Sequence, residues 1–279
     1  MYTSAVPCDV DAEVLSNRRL SNEYNVLALA APEIAALAQP GQFVMIKPAR
    51  GSDPLLRRPF SIFEILRDAS GEPTGLSILN KRIGVGTGLA YEAEPGSHVA
   101  CLGPLGRAFE PVDPPMRAWM VAGGVGLAPF LTLTEALINR GTPTTLFYGA
   151  RRAVDLYYAD VFQRLGVKLV TATEDGSHGA KGFITVPLED ALASVQPGEQ
   201  VKLYVCGPTP MMRAVATLAD FHGQPCDVSL EQVMGCGLGG CYSCVVLTRQ
   251  VGAPPHFVRS CLEGPVFDAG RIVWEALAH

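Results

Sequence analysis

Hydrophobic positions change their rhythm twice along the chain. Over residues 8–110, short runs of strand-forming residues recur every ten to fifteen positions: VLALA, QFVMIKP, PFSIFEIL, GLSILN and HVACLG, with Gly, Pro and Asp between them. No long helical pattern interrupts them, so this region predicts a small antiparallel barrel. From 115 to about 225, each apolar run is followed by a helical one. AWMVAGG leads into GLAPFLTLTEALINRG, where Phe130, Leu133 and Leu137 share a face and Gly141 marks the stop. TTLFYGA leads to DLYYADVFQRLG, VKLVTAT to VPLEDALASV, and VKLYVCG to PMMRAVATLADFHG, with Met212, Val215, Ala216 and Ala219 on one face. Such alternation predicts a parallel sheet covered on both sides. From 226 onward periodicity fades while glycine and cysteine accumulate. Three units are expected, at 1–112, 113–225 and 226–279, a multi-domain β plus α/β fold.

Composition narrows the function classes. With 48% hydrophobic and 18% charged residues and a net charge of -5, the chain has enough apolar matter for real cores and no excess of cations. It has no basic stripe interleaved with aromatics, which speaks against nucleic acid, and no run of eighteen apolar residues, which speaks against a membrane span. The opening MYTSAVPCDVDAEVL carries acids where a secretory signal carries cations and an apolar run, so the chain reads as cytoplasmic. In that compartment eight cysteines do not make a disulfide framework, and a local cluster of them points to metal or redox chemistry. Cys8, Cys101, Cys206 and Cys226 are scattered and read as buried thiols.

The cluster lies in EQVMGCGLGGCYSCVV at 231–246. Cys236, Cys241 and Cys244 follow a C-x4-C-x2-C spacing, the opening pattern of plant-type [2Fe-2S] sites, and Cys261 follows after sixteen intervening residues. The glycines between them let backbone N–H groups turn inward toward sulfur. The alternative is a structural zinc site, which also takes four cysteines but more often shows two C-x2-C knuckles.

Four further motifs offer anion or ring binding. LLRRPFSI at 55–62 places Arg58, Pro59, Phe60 and Ser61 on a barrel strand, a cation for a diphosphate and a hydroxyl for a ring edge, or else a solvated strand end. In LNKRIGVGTG at 79–88, Gly84, Gly86 and Thr87 precede a short helix, either as a phosphate cradle or as a plain turn. In MVAGGVGLAPF at 120–130, Gly124, Gly126 and Pro129 link a strand to a helix, and YVCGPTPMM at 204–212 repeats the arrangement with Cys206, Gly207 and Pro208. Cys206 reads either as a core thiol or as a nicotinamide-facing residue, and the second reading is favoured. His98, His178, His222 and His256 stand in four unrelated contexts, and no catalytic residue is assigned. Glu231 reads as a residue that satisfies the backbone of the cysteine loop.

In this order the motifs resemble the electron-transfer subunits of two-subunit, NAD-linked dihydroorotate dehydrogenases, a family within the ferredoxin reductase superfamily. The resemblance runs through RRPFSI, GPLG at 103–106, GGVGLAP, TEDGSHGAKGFIT at 173–185, CGPTPMM and the cysteine tail. It implies an antiparallel Greek-key β-barrel that binds FAD, a nucleotide-binding α/β domain for NAD(H), and a small C-terminal [2Fe-2S] domain. By the same resemblance, Arg58, Pro59, Phe60, Ser61, Leu79, Asn80, Lys81, Gly86 and Thr87 bind FAD, and Cys236, Cys241, Cys244 and Cys261 hold the cluster. The implied partner is a flavin-containing dihydroorotate dehydrogenase catalytic subunit, in a heterotetramer serving pyrimidine biosynthesis. A sister role is open: the small subunit of an NADH-dependent ferredoxin:NADP oxidoreductase or sulfide dehydrogenase. So is a zinc-stapled nucleotide-binding adaptor. Two departures stand out. Tyr242 and Ser243 occupy positions where the family more often has a glycine, and Arg151-Arg152 leaves NAD against NADP open.

Overall fold

Alternation in the first third of the chain closes into a barrel. In the computed structural model, which describes residues 6–48, 51, 53–250 and 252–277, strands β1 (Cys8–Arg19), β2 (Tyr24–Ala30), β3 (Phe43–Lys47), β4 (Arg58–Arg67), β5 (Pro73–Lys81) and β6 (His98–Leu105) run β1-β2-β5-β4-β3-β6. Every neighbouring pair is antiparallel and β6 closes on β1, the Greek-key order expected. Inward positions two apart, such as Phe60 and Ile62 or Leu76 and Ile78, fill the barrel with Val14, Leu27, Val44 and Ile46. Each such side chain contributes about 1.5–3 kcal/mol when fully buried. Two helices complete this unit, α1 (Pro32–Leu37), which adds Ile34 to the barrel core, and α2 (Val85–Glu92).

The second unit follows the predicted strand–helix alternation. Strands β7 (Arg117–Gly123), β8 (Thr144–Ala150), β9 (Lys168–Thr173), β10 (Ala180–Lys181) and β11 (Val201–Cys206) alternate with α3 (Phe130–Asn139), α4 (Ala159–Arg164), α5 (Thr185–Ala193) and α6 (Thr209–Phe221). The sheet continues past residue 225. Strand β12 (Cys226–Ser229) pairs parallel with β11, and β15 (Val266–Asp268) pairs antiparallel with β12, which gives the order β10-β9-β8-β7-β11-β12-β15. Between them the chain forms the cysteine loop, a hairpin of β13 (Val245–Gln250) and β14 (Ala253–Arg259), and the short α7 (Ser260–Glu263). The chain leaves β7 toward β8 on one side and returns to β11 on the other. Strand order therefore reverses between β7 and β11, where an open parallel sheet binds ligands at its carboxyl edge.

The units share cores. Val26, Phe63, Leu79 and Phe109 from the barrel side pack with Met120, Phe130, Tyr148 and Tyr204 of the α/β unit. Phe63 meets the edge of Tyr158, and Phe109 meets Phe130 and Tyr204. The cysteine unit is tied to the barrel in the same way: Phe43, Met45, Leu102 and Leu105 of β3 and β6 pack with Met234, Cys244 and Cys261. Apolar junctions of this kind hold any cleft between the units in one shape. Among the described residues, no helix is long and apolar enough to cross a membrane.

Candidate functional site

Strand β4 runs along the side of the barrel that packs against the α/β unit. Side chains alternate across this strand, so Phe60 and Ile62 enter the barrel while Pro59, Ser61 and Phe63 face outward. Phe63 is buried in the shared core, whereas Pro59 and Ser61 are only partly covered. Arg58 opens the strand. Its guanidinium donates to the Leu56 carbonyl at 2.9 Å and the Arg57 carbonyl at 3.1 Å, and it has no carboxylate partner among the described residues. Gly86, in the first turn of α2, lies against this side chain: a Cβ there would stand 3.0 Å from Arg58 Cγ. The structure thus brings RRPFSI and IGVGTG together, with an arginine cation beside a helix N-terminus, an arrangement suited to a diphosphate.

The other residues around this segment divide into supports and free groups. Thr87 Oγ1 accepts from the N–H groups of Ile83 and Gly84, both at 2.9 Å, and donates to the Gly84 carbonyl, so its hydroxyl serves its own turn. Asn80 is fully buried and donates to Asn25 Oδ1 and the Thr87 carbonyl, while its own Oδ1 has no partner among the described residues. Leu79 is buried in the shared core. The Lys81 ammonium lies 5.5 Å from the centre of the Tyr24 ring. Glu231 departs from expectation. It makes no hydrogen bond to the cysteine loop among the described residues; its side chain stays exposed, yet surrounding protein raises its carboxyl pKa by desolvation, with the Lys81 charge acting the other way.

The two glycine turns of the α/β unit meet at the switch point. Gly124 has a φ of 56°, and Gly126 is pressed against the end of β11: a Cβ at 126 would overlap the Cys206 carbonyl and lie 2.7 Å from the Gly207 Cα. Only glycine lets the turn after β7 and the turn after β11 approach this closely. Pro129 sits at the N-cap of α3, and Pro208 at that of α6. Cys206 is 3% exposed; burial first, and then the charge of Glu231, push the thiol pKa well up, with Ser229 acting the other way. An open cavity of about 490 Å³ lies beside the N-terminal turns of α5 and α6, with Thr185, Thr209, Arg213 and Trp274 in its lining. Arg152 is paired with Asp155 at 3.1 Å, which leaves Arg151 as the cation after β8 without an ion pair among the described residues.

The four cysteines gather as two linked pairs. Cys236 lies close enough to Cys241, and Cys244 to Cys261, to shift the neighbouring thiol, and a charge on Cys236 is felt at Cys261. Cys241 also shares a 3.2 Å hydrogen bond with Ser243, and Cys236 Sγ accepts from the Leu238 N–H. Hydrogen bonds from Ser243 and then Cys236 lower the exposed Cys241 thiol to about 6, whereas burial raises Cys261 to about 12. Among the described residues, no three His, Cys, Asp or Glu side chains converge as they would around a single metal ion. Two pairs suit a binuclear cluster, in which each iron takes two thiolates. Gly237 and Gly239, at φ of 73° and 80°, carry the loop around. Tyr242 also has a positive φ, 57°, which costs a non-glycine residue about 1–2 kcal/mol. That cost is the physical reason a glycine suits this position.

One strand joins the two sites. Met45 of β3 is the register partner of Pro59 in β4, and its side chain is what a Cβ on Gly237 would strike, at 2.6 Å from Met45 Cγ. The cysteine loop is therefore packed on the strand next to the RPFS segment, and adjacent strands lie about 4.8 Å apart. Sequence reasoning missed Met45, Tyr24 and Arg259. Met45 sits in an ordinary apolar run, and nothing local marks it.

Residues 120–217 match the oxidoreductase NAD-binding domain family, and residues 231–273 match the iron-sulfur cluster binding domain of dihydroorotate dehydrogenase B. The chain is 38% identical over 266 residues to the electron transfer subunit of dihydroorotate dehydrogenase B (NAD(+)) from Desulforamulus reducens, covering 95% of this chain and 98% of that protein. It is 37% identical to the Geobacillus kaustophilus subunit of the same description, covering 93% and 96%. Among solved structures, an NADH-dependent reduced ferredoxin-NADP oxidoreductase, described for flavin-based electron bifurcation, superposes with a TM-score of 0.82 at 26% identity, over 99% of this chain and 93% of that one. A ferredoxin reductase of carbazole 1,9a-dioxygenase shares the fold at a TM-score of 0.64 and 24% identity, over 78% of this chain and 67% of that one.

Proposed function

The chain belongs to the family of dihydroorotate dehydrogenase B electron-transfer subunits, and on that premise we propose that it carries electrons between NAD(H) and a partner dihydroorotate dehydrogenase catalytic subunit. FAD, when bound, exchanges a hydride with nicotinamide on one side and single electrons with an iron-sulfur cluster on the other. The chain's own residues do the placing. Pro59 and Ser61 line the ring edge, Arg58 and the first turn of α2 take the diphosphate, and Leu79, Asn80 and Lys81 lie beside them on β5, the strand next to β4. Gly124, Gly126 and Pro129, with Cys206, Gly207 and Pro208, shape the nicotinamide crevice, and the cavity between α5 and α6 suits the adenosine end. Cys236, Cys241, Cys244 and Cys261 hold the cluster. The single observation that carries this reading is Met45, which touches the cysteine loop from the strand beside the flavin segment. Cysteines that are all free in the structure fit a cytoplasmic setting, and the division at 1–112, 113–225 and 226–279 is one of ligands.

Replacing Arg58 with Ala removes a charge-assisted contact of about 1.5–3 kcal/mol, or about ten- to a hundredfold in FAD affinity. The variant is expected to purify pale and to recover flavin only at high added FAD; full occupancy after dialysis would make Arg58 a plain strand-end cation.

The partner is tested at the cysteine loop. Val233, Leu238 and Tyr242 are 81%, 55% and 62% exposed around it, an apolar cover that water does not favour. Leu238→Asp is expected to leave iron, FAD and NADH-to-dye activity near normal while weakening co-purification with the catalytic subunit and dihydroorotate-linked turnover. Wild-type affinity in that variant would mean that electrons leave by another face. The likeness to the ferredoxin-NADP oxidoreductase keeps one second reading in view. Turnover with that enzyme's large subunit, and none with a dihydroorotate-oxidising one, would favour it.

A further inference from the structure

Arg259 is the last residue of β14, one position from Ser260 and two from Cys261, and its register partner across the hairpin is Val245, next to Cys244. Its Nη1 donates to the carbonyl of Gly239 at 2.8 Å, inside the loop between Cys236 and Cys241. Its guanidinium also lies 4.9 Å from the centre of the Tyr242 ring, with Nη1 at 3.5 Å from the Tyr242 hydroxyl. One side chain thus touches the loop that bears three cysteines from the strand that leads to the fourth. No carboxylate pairs with it among the described residues. The ring that holds it is the one whose backbone has the unfavourable positive φ.

These observations share one explanation, which rests on the iron-sulfur reading above. We propose that Arg259 is a positioning residue that fixes the cysteine loop and, through its unpaired charge, makes one-electron reduction of the cluster site more favourable, with Tyr242 retained to hold the guanidinium there. Each electron arriving from NADH by way of the flavin adds one negative charge to a site already ringed by four thiolates. A fixed cation beside that loop stabilises the reduced form more than the oxidised one. A glycine at 242 would relieve the backbone but would let the guanidinium swing into water.

The test is the midpoint potential of the cluster in the purified holoprotein, followed by electron paramagnetic resonance during a reductive titration. Arg259→Met, which keeps length and removes charge, is expected to lower the one-electron equilibrium about three- to tenfold, or about 30–60 mV toward more negative potential. Arg259→Lys should restore most of that shift. Tyr242→Leu, at an exposed position that does not threaten folding, should shift it about two- to threefold in the same direction with iron content unchanged. Wild-type potential in Tyr242→Leu overturns the inference whether or not Arg259→Met retains its iron, and so does an iron-replete Arg259→Met at wild-type potential. Zinc in the wild-type protein would instead overturn the iron-sulfur reading itself.

Discussion

Cys241→Ser is expected to yield a protein that keeps FAD and reduces dyes with NADH but contains no iron and no dihydroorotate-linked activity above background. Cys241 suits this test because it is the exposed member of the four, whereas Cys244 and Cys261 are 1% and 2% exposed and belong to the apolar contact with β3 and β6. Serine removes the thiolate without removing packing. Its hydroxyl does not ionise near neutral pH, so one iron loses half of its protein ligands. The residues proposed for the flavin lie on β4, β5 and α2, outside the loop, and have no covalent dependence on it. Iron analysis beside flavin absorbance reads the outcome. Unchanged iron would mean that the cysteine set is wrong.

Gly126→Ala carries the largest expected cost to the fold around the proposed nicotinamide crevice. Its methyl would have to displace backbone, the carbonyl of Cys206 and the Cα of Gly207, and neither is the movable end of a side chain. Overpacking of this kind costs about 1–3 kcal/mol, and fixed backbone on the far side argues for the upper part, a fall in melting temperature of about 5–10 °C. NADH-to-dye activity should fall with it, because widening the gap between the turns after β7 and β11 displaces both walls of the crevice. Iron content and flavin binding, which depend on the barrel and the cysteine loop, should change little. A variant with wild-type melting and wild-type NADH kinetics would show that the two turns are free to part.

These tests separate what the residue pattern made legible from what only the structure shows. The strands from VLALA to HVACLG and the βα alternation from AWMVAGG to PMMRAVATLADFHG were legible because period-two and period-3.6 patterns with clear glycine and proline stops lie within single short windows. β1 escaped. Its Asp9, Asp11 and Glu13 read as an acidic leading segment, although they alternate with Val10, Ala12 and Val14, and Ala12 and Val14 are buried. The continuation of the sheet through Cys226–Ser229 and Val266–Asp268 was hidden for another reason: four and three residues are too few to show a period. Motifs that bind by backbone, such as Gly124 and Gly126, announced themselves as glycines but not their reason, since nothing in the sequence says that Gly126 faces Cys206. The adjacency of Met45 to Gly237 joins residues nearly two hundred positions apart and is set by tertiary packing alone. Tyr242 was visible as a departure from a glycine pattern; that it takes a left-handed conformation under Arg259 was not.

The central claim is that one chain accepts electrons from nicotinamide at a flavin and passes them to an iron-sulfur cluster held by its own cysteines. Anaerobic titration of the purified protein with NADH, with iron, sulfide, zinc and flavin counted on the same sample, tests it most directly. The account predicts one FAD and two irons per chain, with flavin and cluster absorbance both bleached by NADH and a reduced-cluster resonance appearing as they fade. Zinc in place of iron, or a cluster that stays oxidised while the flavin is fully reduced, would contradict it.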